Sequence, residues 1–222
     1  MELKIICGLS VYFLLLSMKP SKLEAAKCEA LPDRCGPGEK DVTCTEQACD
    51  KSYELQELDR FQIPMLVNAH NILRNHVLKA SHLRIPKPIR YPSVVWNKGL
   101  QRLAELHERN CRVARCVATK RFPNATVLNY GAKDIYHLTT ACTDIIDRVG
   151  QDFNNLDMDQ IRKYDGIRYK ELKQILYGRT RRIGCALVWK RVSMVAEKEY
   201  RLTCVYDQRP IEGQPVYLFR GL

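Results

Sequence analysis

Cysteine is the residue type whose number and spacing carry the clearest chemistry in this chain. Ten cysteines occur among 222 residues, and one of them, Cys7, lies in an apolar N-terminal run. The other nine predict four disulfide bonds and one odd thiol in a protein that folds in an oxidising compartment. A zinc site is a poor alternative, because the chain has no C-x-x-C pair and no histidine lies among the clustered cysteines.

The apolar N-terminal run has the layout of a secretory signal. It covers Ile5–Leu16 and is followed by a polar stretch that reaches Ala25 and Ala26. About 20 apolar residues are needed to span a bilayer, so this run is too short to be a membrane anchor. We therefore expect residues 1–26 to be a signal peptide, residues 27–54 a disulfide-tethered N-terminal loop and residues 55–222 the main folded domain. The mature protein is then secreted, soluble and not a membrane protein.

Charge limits the kind of partner that suits this protein. The formal net charge is +11 at pH 7, which favours acidic proteins, sulfated glycans or anionic lipid head groups. The alternative is that the basic residues only solvate the surface. Nucleic acid is a less suitable partner despite the positive charge, because a secreted protein does not usually meet nucleic acid.

Residues that would support catalysis are few. The chain has no G-x-S-x-G, H-E-x-x-H or phosphate-loop motif. His107 falls on the apolar stripe of a predicted helix, where a histidine is more often a hydrogen-bonded core residue than a ligand. The motifs thus offer no activated nucleophile and no obvious metal site.

Hydrophobic periodicity predicts several helices and a pair of strands. The helices are expected at Ile63–Leu78, from Val95 and Trp96 toward Cys111, at Thr140–Phe153 and at Tyr169–Tyr177. The strands are expected at Ile183–Trp189 and Tyr200–Tyr206, antiparallel, with Cys185 and Cys204 nearly opposite. Residues 154–168 and Cys111–Tyr136 are predicted to be loops. The pattern is that of an α+β domain.

The runs that begin at His70, at Trp96 and at Tyr169 resemble signatures of the CAP superfamily of cysteine-rich secretory, antigen 5 and pathogenesis-related 1 proteins. The first helix carries an H-N-x-x-R run from His70 to Arg74, and the second opens with a W-N-x-x-L-x-x-x-A run at Trp96. The segment Tyr169–Ala186 supplies the third signature, through Gln174, Thr180, Gly184 and Cys185. Because its polar residues are neighbours on one helix, we expect the H-N-x-x-R run to tie that helix to nearby loops. The resemblance implies that residues 55–222 form a CAP (SCP) domain, an α-β-α sandwich with an antiparallel central sheet.

The cysteine framework is most similar to that of insect venom allergen 5-like proteins. If their connectivity carries over, the bridges are Cys28–Cys44, Cys35–Cys116, Cys49–Cys111 and Cys185–Cys204. Cys142 is then the odd cysteine, either a small buried hydrophobe on the third helix or a covalent dimer contact. We expect a monomer.

The resemblance also implies a central cleft with two histidines and two acidic residues, and this chain has lost most of that set. The interval 112–115 lacks the first histidine, and Ala132 and Glu171 replace the first acid and the second histidine. Asp152 keeps the second acid. Without imidazoles a zinc site loses its preferred nitrogen donors, and two carboxylates are more simply surface acids than a calcium site. We expect no catalytic residue, no metal, no cofactor and no enzymatic activity.

The function that the sequence favours is binding of an extracellular partner by a rigid scaffold. A candidate binding surface consists of the basic residues around Tyr169–Ala186: Arg168, Lys170, Lys173, Arg179, Arg181, Arg182, Lys190 and Arg191. Asn124 begins an N-glycosylation sequon in a predicted loop. The alternatives are a carrier of an apolar ligand such as a sterol or fatty acid, which rests on family analogy, and a metal-dependent hydrolase.

Overall fold

The computed structural model describes residues 35, 41–43, 53–79, 84–110, 112, 116–132, 138–191 and 198–220. In these ranges the strands are β1 (Glu54–Gln56), β2 (Val95–Trp96), β3 (Thr126–Ala132), β4 (Arg182–Arg191) and β5 (Lys198–Tyr206). The helices are α1 (Gln62–Lys79), α2 (Lys98–Arg109), α3 (Leu138–Gly150), α4 (Met158–Arg162) and α5 (Lys170–Ile175), and a 3-10 helix at Gln151–Asn155 follows α3. Among these helices, none has both the length and the hydropathy needed to cross a membrane.

The strands form one sheet in the order β1-β4-β5-β3. Neighbours along this path are antiparallel, and the two-residue β2 adds a parallel pairing at the start of β4. Cys185 lies directly opposite Cys204 in the β4–β5 register, and a disulfide joins them. Both strands are buried over most of their length because helices cover both faces of the sheet.

One face of the sheet packs against α1, α3 and α5. Alternate residues of β4 and β5 point toward this face, as the period of two in a strand requires. The resulting α1-side core contains these buried residues: Leu66, Leu73, Val77, Ile145, Ile146, Leu172, Ile175, Ile183, Leu187 and Leu202.

The opposite face packs against α2. Its smaller core contains Val42, Leu100, Leu103, Ala104, Val117, Phe122, Ala186 and Val205. The two cores with the sheet between them make the α-β-α sandwich predicted from the sequence.

Gly184 sets the distance between α2 and the sheet. A Cβ atom at this position would lie 2.7 Å from the carbonyl oxygen of Asn97 and still closer to the backbone of Leu100 and Gln101. Backbone cannot move aside as a flexible side chain can, so only glycine allows this close approach. The glycine of the signature segment is therefore explained by packing.

The helix and strand predictions are largely confirmed. The first helix is one residue longer at each end than predicted, and the predicted pair of strands is present with Cys185 facing Cys204. The second helix does not open at Val95 and Trp96, which form β2. It begins after Asn97, whose side chain accepts hydrogen bonds from the N–H groups of Gly99 and Leu100 at 2.9 and 3.1 Å.

Two predicted loops contain regular structure. The stretch Cys111–Tyr136 includes β3, which pairs with β5 along its whole length, and residues 154–168 include α4, whose first turn is closed by a capping box between Asp157 and Gln160. The third helix also ends earlier than predicted, at Gly150, and gives way to the 3-10 helix.

The N-terminal segment is fastened to the end of α2. Cys35 forms a disulfide with Cys116, and the backbone N–H of Val42 donates to the carbonyl of Cys116 at 2.9 Å. The side chain of Asn110 donates to the carbonyl of Val42 at 2.8 Å. The expected bridges Cys28–Cys44 and Cys49–Cys111 lie outside the described residues, as does the side chain of Cys142.

Candidate functional site

Glu171, one of the predicted cleft residues, lies in the first turn of α5. Its side chain is about one-third exposed, and one oxygen lies 3.7 Å from the Lys170 ammonium. Burial is the main cause that raises the pKa values of Tyr130 and Tyr206, and the Glu171 charge raises both further. The carboxylate therefore lies close to a buried pair of tyrosines.

The tyrosine pair continues into a buried histidine. The Tyr130 and Tyr206 hydroxyls are 2.6 Å apart, and the Tyr206 hydroxyl is 2.9 Å from Nε2 of His70. The other ring nitrogen, Nδ1, lies 2.8 Å from the carbonyl oxygen of Leu66. These groups form a continuous hydrogen-bonded chain through the α1-side core.

The Leu66 carbonyl fixes the direction of this chain. A carbonyl only accepts, so Nδ1 of His70 carries the proton and Nε2 must accept from Tyr206. The Tyr206 oxygen then accepts from the Tyr130 hydroxyl. Both hydroxyl protons point toward His70, which the chain holds in its neutral form.

His70 is poorly suited to acid-base chemistry near neutral pH. Its pKa is lowered to about 4, mainly by burial. The hydrogen bond to Leu66 acts in the opposite direction and raises the pKa, whereas the nearby Arg74 charge lowers it. An imidazole with that pKa carries almost no second proton, and so almost no positive charge, at pH 7. Its role is to complete the hydrogen-bonded chain.

The other two residues of the H-N-x-x-R run fasten α1 to neighbouring loops, as predicted. Asn71 makes two hydrogen bonds to the backbone of Val94, at 2.9 and 3.1 Å. The buried Arg74 guanidinium donates to the carbonyl oxygens of Pro92, Ile175 and Tyr177. The run is therefore a structural connector between α1, the segment before β2 and the end of α5.

Asp152 and Ala132 are the other two predicted cleft residues, and Asp152 makes no direct contact with Glu171. Asp152 is half-buried in the 3-10 helix and makes no hydrogen bond or ion pair with another described residue. Ala132 is the last residue of β3, opposite Tyr200 and two residues after Tyr130. A hydrocarbon side chain at this position offers no ligand atom to a metal.

One cluster of metal-ligating residue types occurs in the described part of the chain: Cys35, Asp41 and Cys116. Its two sulfurs are joined to each other as a disulfide. Thiolate is the form of cysteine that binds metal, so this cluster lacks the donors of a zinc site. His107 is buried on α2, as its place on the apolar stripe predicted.

The candidate binding surface needs two corrections. The first concerns Lys173, whose side chain is completely buried and forms an ion pair of 2.9 Å with Asp165. It therefore supports the loop before α5 from inside and is not available to a partner. Sequence reasoning could not separate it from its exposed neighbours, because lysine is rarely buried.

The second correction is that the other basic residues do not form one patch. Arg182 and Arg191 are the first and last residues of β4, and nine steps of about 3.3 Å along a strand place them about 30 Å apart. Lys190 lies at the far end with Arg191 and pairs with Glu199 at 2.9 Å. Arg168, Lys170, Arg179 and Arg181 are exposed and lie in the segment that leads into the start of β4.

The arginines at the start of β4 are held in defined positions. The Arg181 guanidinium donates to the carbonyl oxygens of Gly178 and Thr180, at 2.7 and 3.2 Å. Arg182 forms an ion pair of 3.1 Å with Asp207, and its side chain remains 45% exposed. Its guanidinium also lies over the ring of Phe122, as does that of Arg121.

Tyr130 and Tyr206 are the site residues that sequence reasoning missed. Tyr130 lies in β3, within the stretch Cys111–Tyr136 that was predicted to be a loop. The available signal was the alternation of Thr126, Leu128 and Tyr130, which share one face of the strand and of which threonine and tyrosine favour strands. Asn124 lies in the turn before β3, half-buried, with its amide 3.4 Å from Gln208.

Comparison with known proteins identifies the family. The model of the cysteine-rich secretory protein family, CAP, matches residues 67–206, so the chain belongs to this family. Tabinhibitin 4 of Tabanus yao is 27% identical over 94% of this chain and 87% of its own length. Venom allergen-1 of Aedes albopictus is 23% identical over 77% of this chain and 69% of its own length.

The fold is shared with solved structures at low identity. The structure described as NaASP2 with Zn²⁺ matches with a TM-score of 0.56 and 13% identity, over 78% of this chain and 90% of that one. At this identity the similarity concerns the fold alone. The zinc belongs to that protein.

Proposed function

We propose that this protein is a secreted, non-enzymatic CAP protein that binds an extracellular partner bearing sulfate or carboxylate groups. The observation that carries the proposal is the set of exposed arginines at the start of β4, fixed by contacts to Gly178, Thr180, Asp207 and Phe122. The relative named venom allergen-1 supports an extracellular role, since venom is a secreted fluid. We also propose that residues 1–26 are a signal peptide and that residues 55–222 form the CAP domain.

Fixed arginines suit recognition of planar or tetrahedral anions. A guanidinium presents several N–H groups that match carboxylate and sulfate oxygens in pairs. A side chain that is already ordered loses less entropy when it binds than a free lysine. Arg181 and Arg182, with the exposed Arg179 beside them in the chain, thus form a more selective site than net charge alone would give.

The non-enzymatic part of the proposal is supported by the state of the cleft. Its position for one histidine holds Glu171, and the nearby His70 is buried with both ring nitrogens engaged. Metal analysis of the purified protein tests this part separately. Stoichiometric zinc would contradict it, whatever the binding surface does.

Heparin, a sulfated glycan, is a direct probe of the binding surface. The Arg179→Glu, Arg181→Glu double variant should elute from heparin at clearly lower salt than the native protein. The matched control is Arg60→Glu with Arg191→Glu, which changes net charge equally at other exposed positions. Equal shifts for both double variants would mean that only net charge matters, and failure of the native protein to bind at low salt would exclude a sulfated partner.

A further inference from the structure

Two exposed aliphatic side chains lie side by side at the C-terminal end of the described chain. The backbone N–H of Ile89 donates to the carbonyl of Leu218 at 2.9 Å, and Pro88 forms an antiparallel bridge with Phe219. Ile89 is 58% exposed and Leu218 is 62% exposed. We call the surface made by residues 84–90 and 218–220 the Ile89–Leu218 face.

The backbone under this face is fixed by buried aromatic residues. The Tyr217 hydroxyl donates to the carbonyl of Pro86 at 2.8 Å, and the Tyr217 ring packs against Tyr91. Phe219, the residue after Leu218, is buried and contacts the same Tyr217 ring. Ile89 and Leu218 are therefore displayed on a rigid base, with no need for ordering when a partner binds.

The charges of this face are all of one sign. Its exposed basic residues are Arg84, Lys87, Arg90 and Arg220, and residues 84–92 and 216–220 contain no aspartate or glutamate. None of the four basic residues forms an ion pair with a carboxylate of the described chain. The face thus combines exposed aliphatic side chains with uncompensated positive charge.

We infer that the Ile89–Leu218 face binds the surface of an anionic lipid bilayer. Aliphatic side chains enter the boundary between head groups and acyl chains, and basic side chains around them attract anionic head groups. A protein partner is less suitable, because two aliphatic side chains cover far less than the roughly 800 Å² per partner of a stable protein interface. The proposal does not involve Arg179, Arg181 or Arg182.

Vesicle co-sedimentation of the full mature protein tests this inference. The protein should bind phosphatidylcholine vesicles that contain phosphatidylserine, and bind vesicles of phosphatidylcholine alone much more weakly. Replacing both aliphatic residues, Ile89→Ser with Leu218→Ser, should reduce partitioning about tenfold, and Lys87→Glu with Arg90→Glu should reduce it at least as much. The control is Ile167→Ser, which removes an 80% exposed aliphatic side chain elsewhere and should leave partitioning unchanged.

A second readout reports insertion directly. Tryptophan at position 218 (Leu218→Trp) should shift its fluorescence to shorter wavelength when anionic vesicles are added, provided that the variant melts at the native temperature. Native-level partitioning of the Ile89→Ser, Leu218→Ser variant, or no shift with Leu218→Trp, would overturn the inference. The Arg179→Glu, Arg181→Glu variant should still bind vesicles, so failure of the glycan site and failure of the lipid face are distinguishable.

Discussion

On the α1 face of the sheet the buried polar side chains of β3 and β5 form a neutral network, whereas on the α2 face they join an ionic one. The neutral network is the chain from Tyr130 through Tyr206 to His70, in which each hydroxyl donates to the next acceptor. Neutral hydrogen bonds respond weakly to salt but are lost when an acceptor is protonated. This network should therefore be sensitive to acid.

The ionic network is centred on Glu108 of α2. Its carboxylate pairs with Arg112 at 2.6 Å and with Arg201 at 3.4 Å, and it accepts a hydrogen bond from Thr203. The Glu108 side chain is 2% exposed, and the two arginines are about one-fifth exposed. The stability of this ionic network depends on keeping opposite charges together, and the partial exposure of the two arginines makes the network sensitive to salt. One sheet thus carries two polar networks that fail under different conditions.

The largest expected effect concerns the packing of α2 against its face. The Gly184→Val variant should lose more than about 4 kcal/mol of unfolding free energy, because the new side chain would overlap backbone of α2. Thermal or urea unfolding measures this loss. Gly150→Ala is the control, since its Cβ would meet only the movable end of the Leu73 side chain; similar losses for both variants would contradict this account of Gly184.

The next effect is acid destabilisation of the α1 face. The pKa of His70 is about 4 in the folded protein and about 6.5 in the unfolded chain. Below pH 6.5 the unfolded chain takes up a proton that the folded protein refuses, so stability falls as pH drops from 6.5 to 4 and then levels off. The loss should total roughly 3 kcal/mol, measured by urea unfolding at several pH values.

Two histidine variants make this measurement specific. His70→Gln removes the titrating group, so its stability should fall less than that of the native protein over this pH range. His76→Gln changes an exposed histidine on the same helix and should keep the native pH dependence. If the stability of the His70→Gln variant falls with decreasing pH as steeply as that of the native protein, other groups cause the acid sensitivity.

The smallest expected effect tests the ionic network. Glu108→Gln keeps the shape of the side chain but leaves Arg112 and Arg201 without their carboxylate, which should cost about 2 kcal/mol because both arginines are partly exposed. The difference from the native protein should shrink in high salt. Glu199→Gln, at the more exposed pair with Lys190, should cost well under 1 kcal/mol. Equal costs at the two sites would mean that burial of Glu108 contributes nothing.

The fold was predictable where a pattern was long and local. The apolar spacing of α1 and the β-branched content of β4 and β5 predicted all three elements with errors of at most two residues at each end. The strand β3 was missed because its identity depends on pairing with β5, which lies some 70 residues away in the chain. The same reason applies to β1 and β2, which are three and two residues long and exist only as partners of β4.

The site was predictable only in part. The loss of the family's cleft residues at Ala132 and Glu171 stays a prediction, because it rests on residue identity and on the resemblance. The burial of Lys173 and the separation of Arg182 from Arg191 could not be predicted from the sequence, because each depends on how α5 and β4 are placed in three dimensions. The sequence predicted that Asn71 and Arg74 tie α1 to neighbouring loops. It could not predict that their partners include Val94 and Pro92.

The disulfide between Cys35 and Cys116 closes 81 residues of sequence separation into a covalent ring that contains α1 and α2. A protease that cuts once anywhere inside this ring cannot release either piece, because both remain attached through the sulfurs. The nicked molecule keeps its helices at high local concentration and can retain its packing. Where proteases are present, a single cut in this ring therefore leaves the fragments joined, and they separate only after the disulfide is reduced.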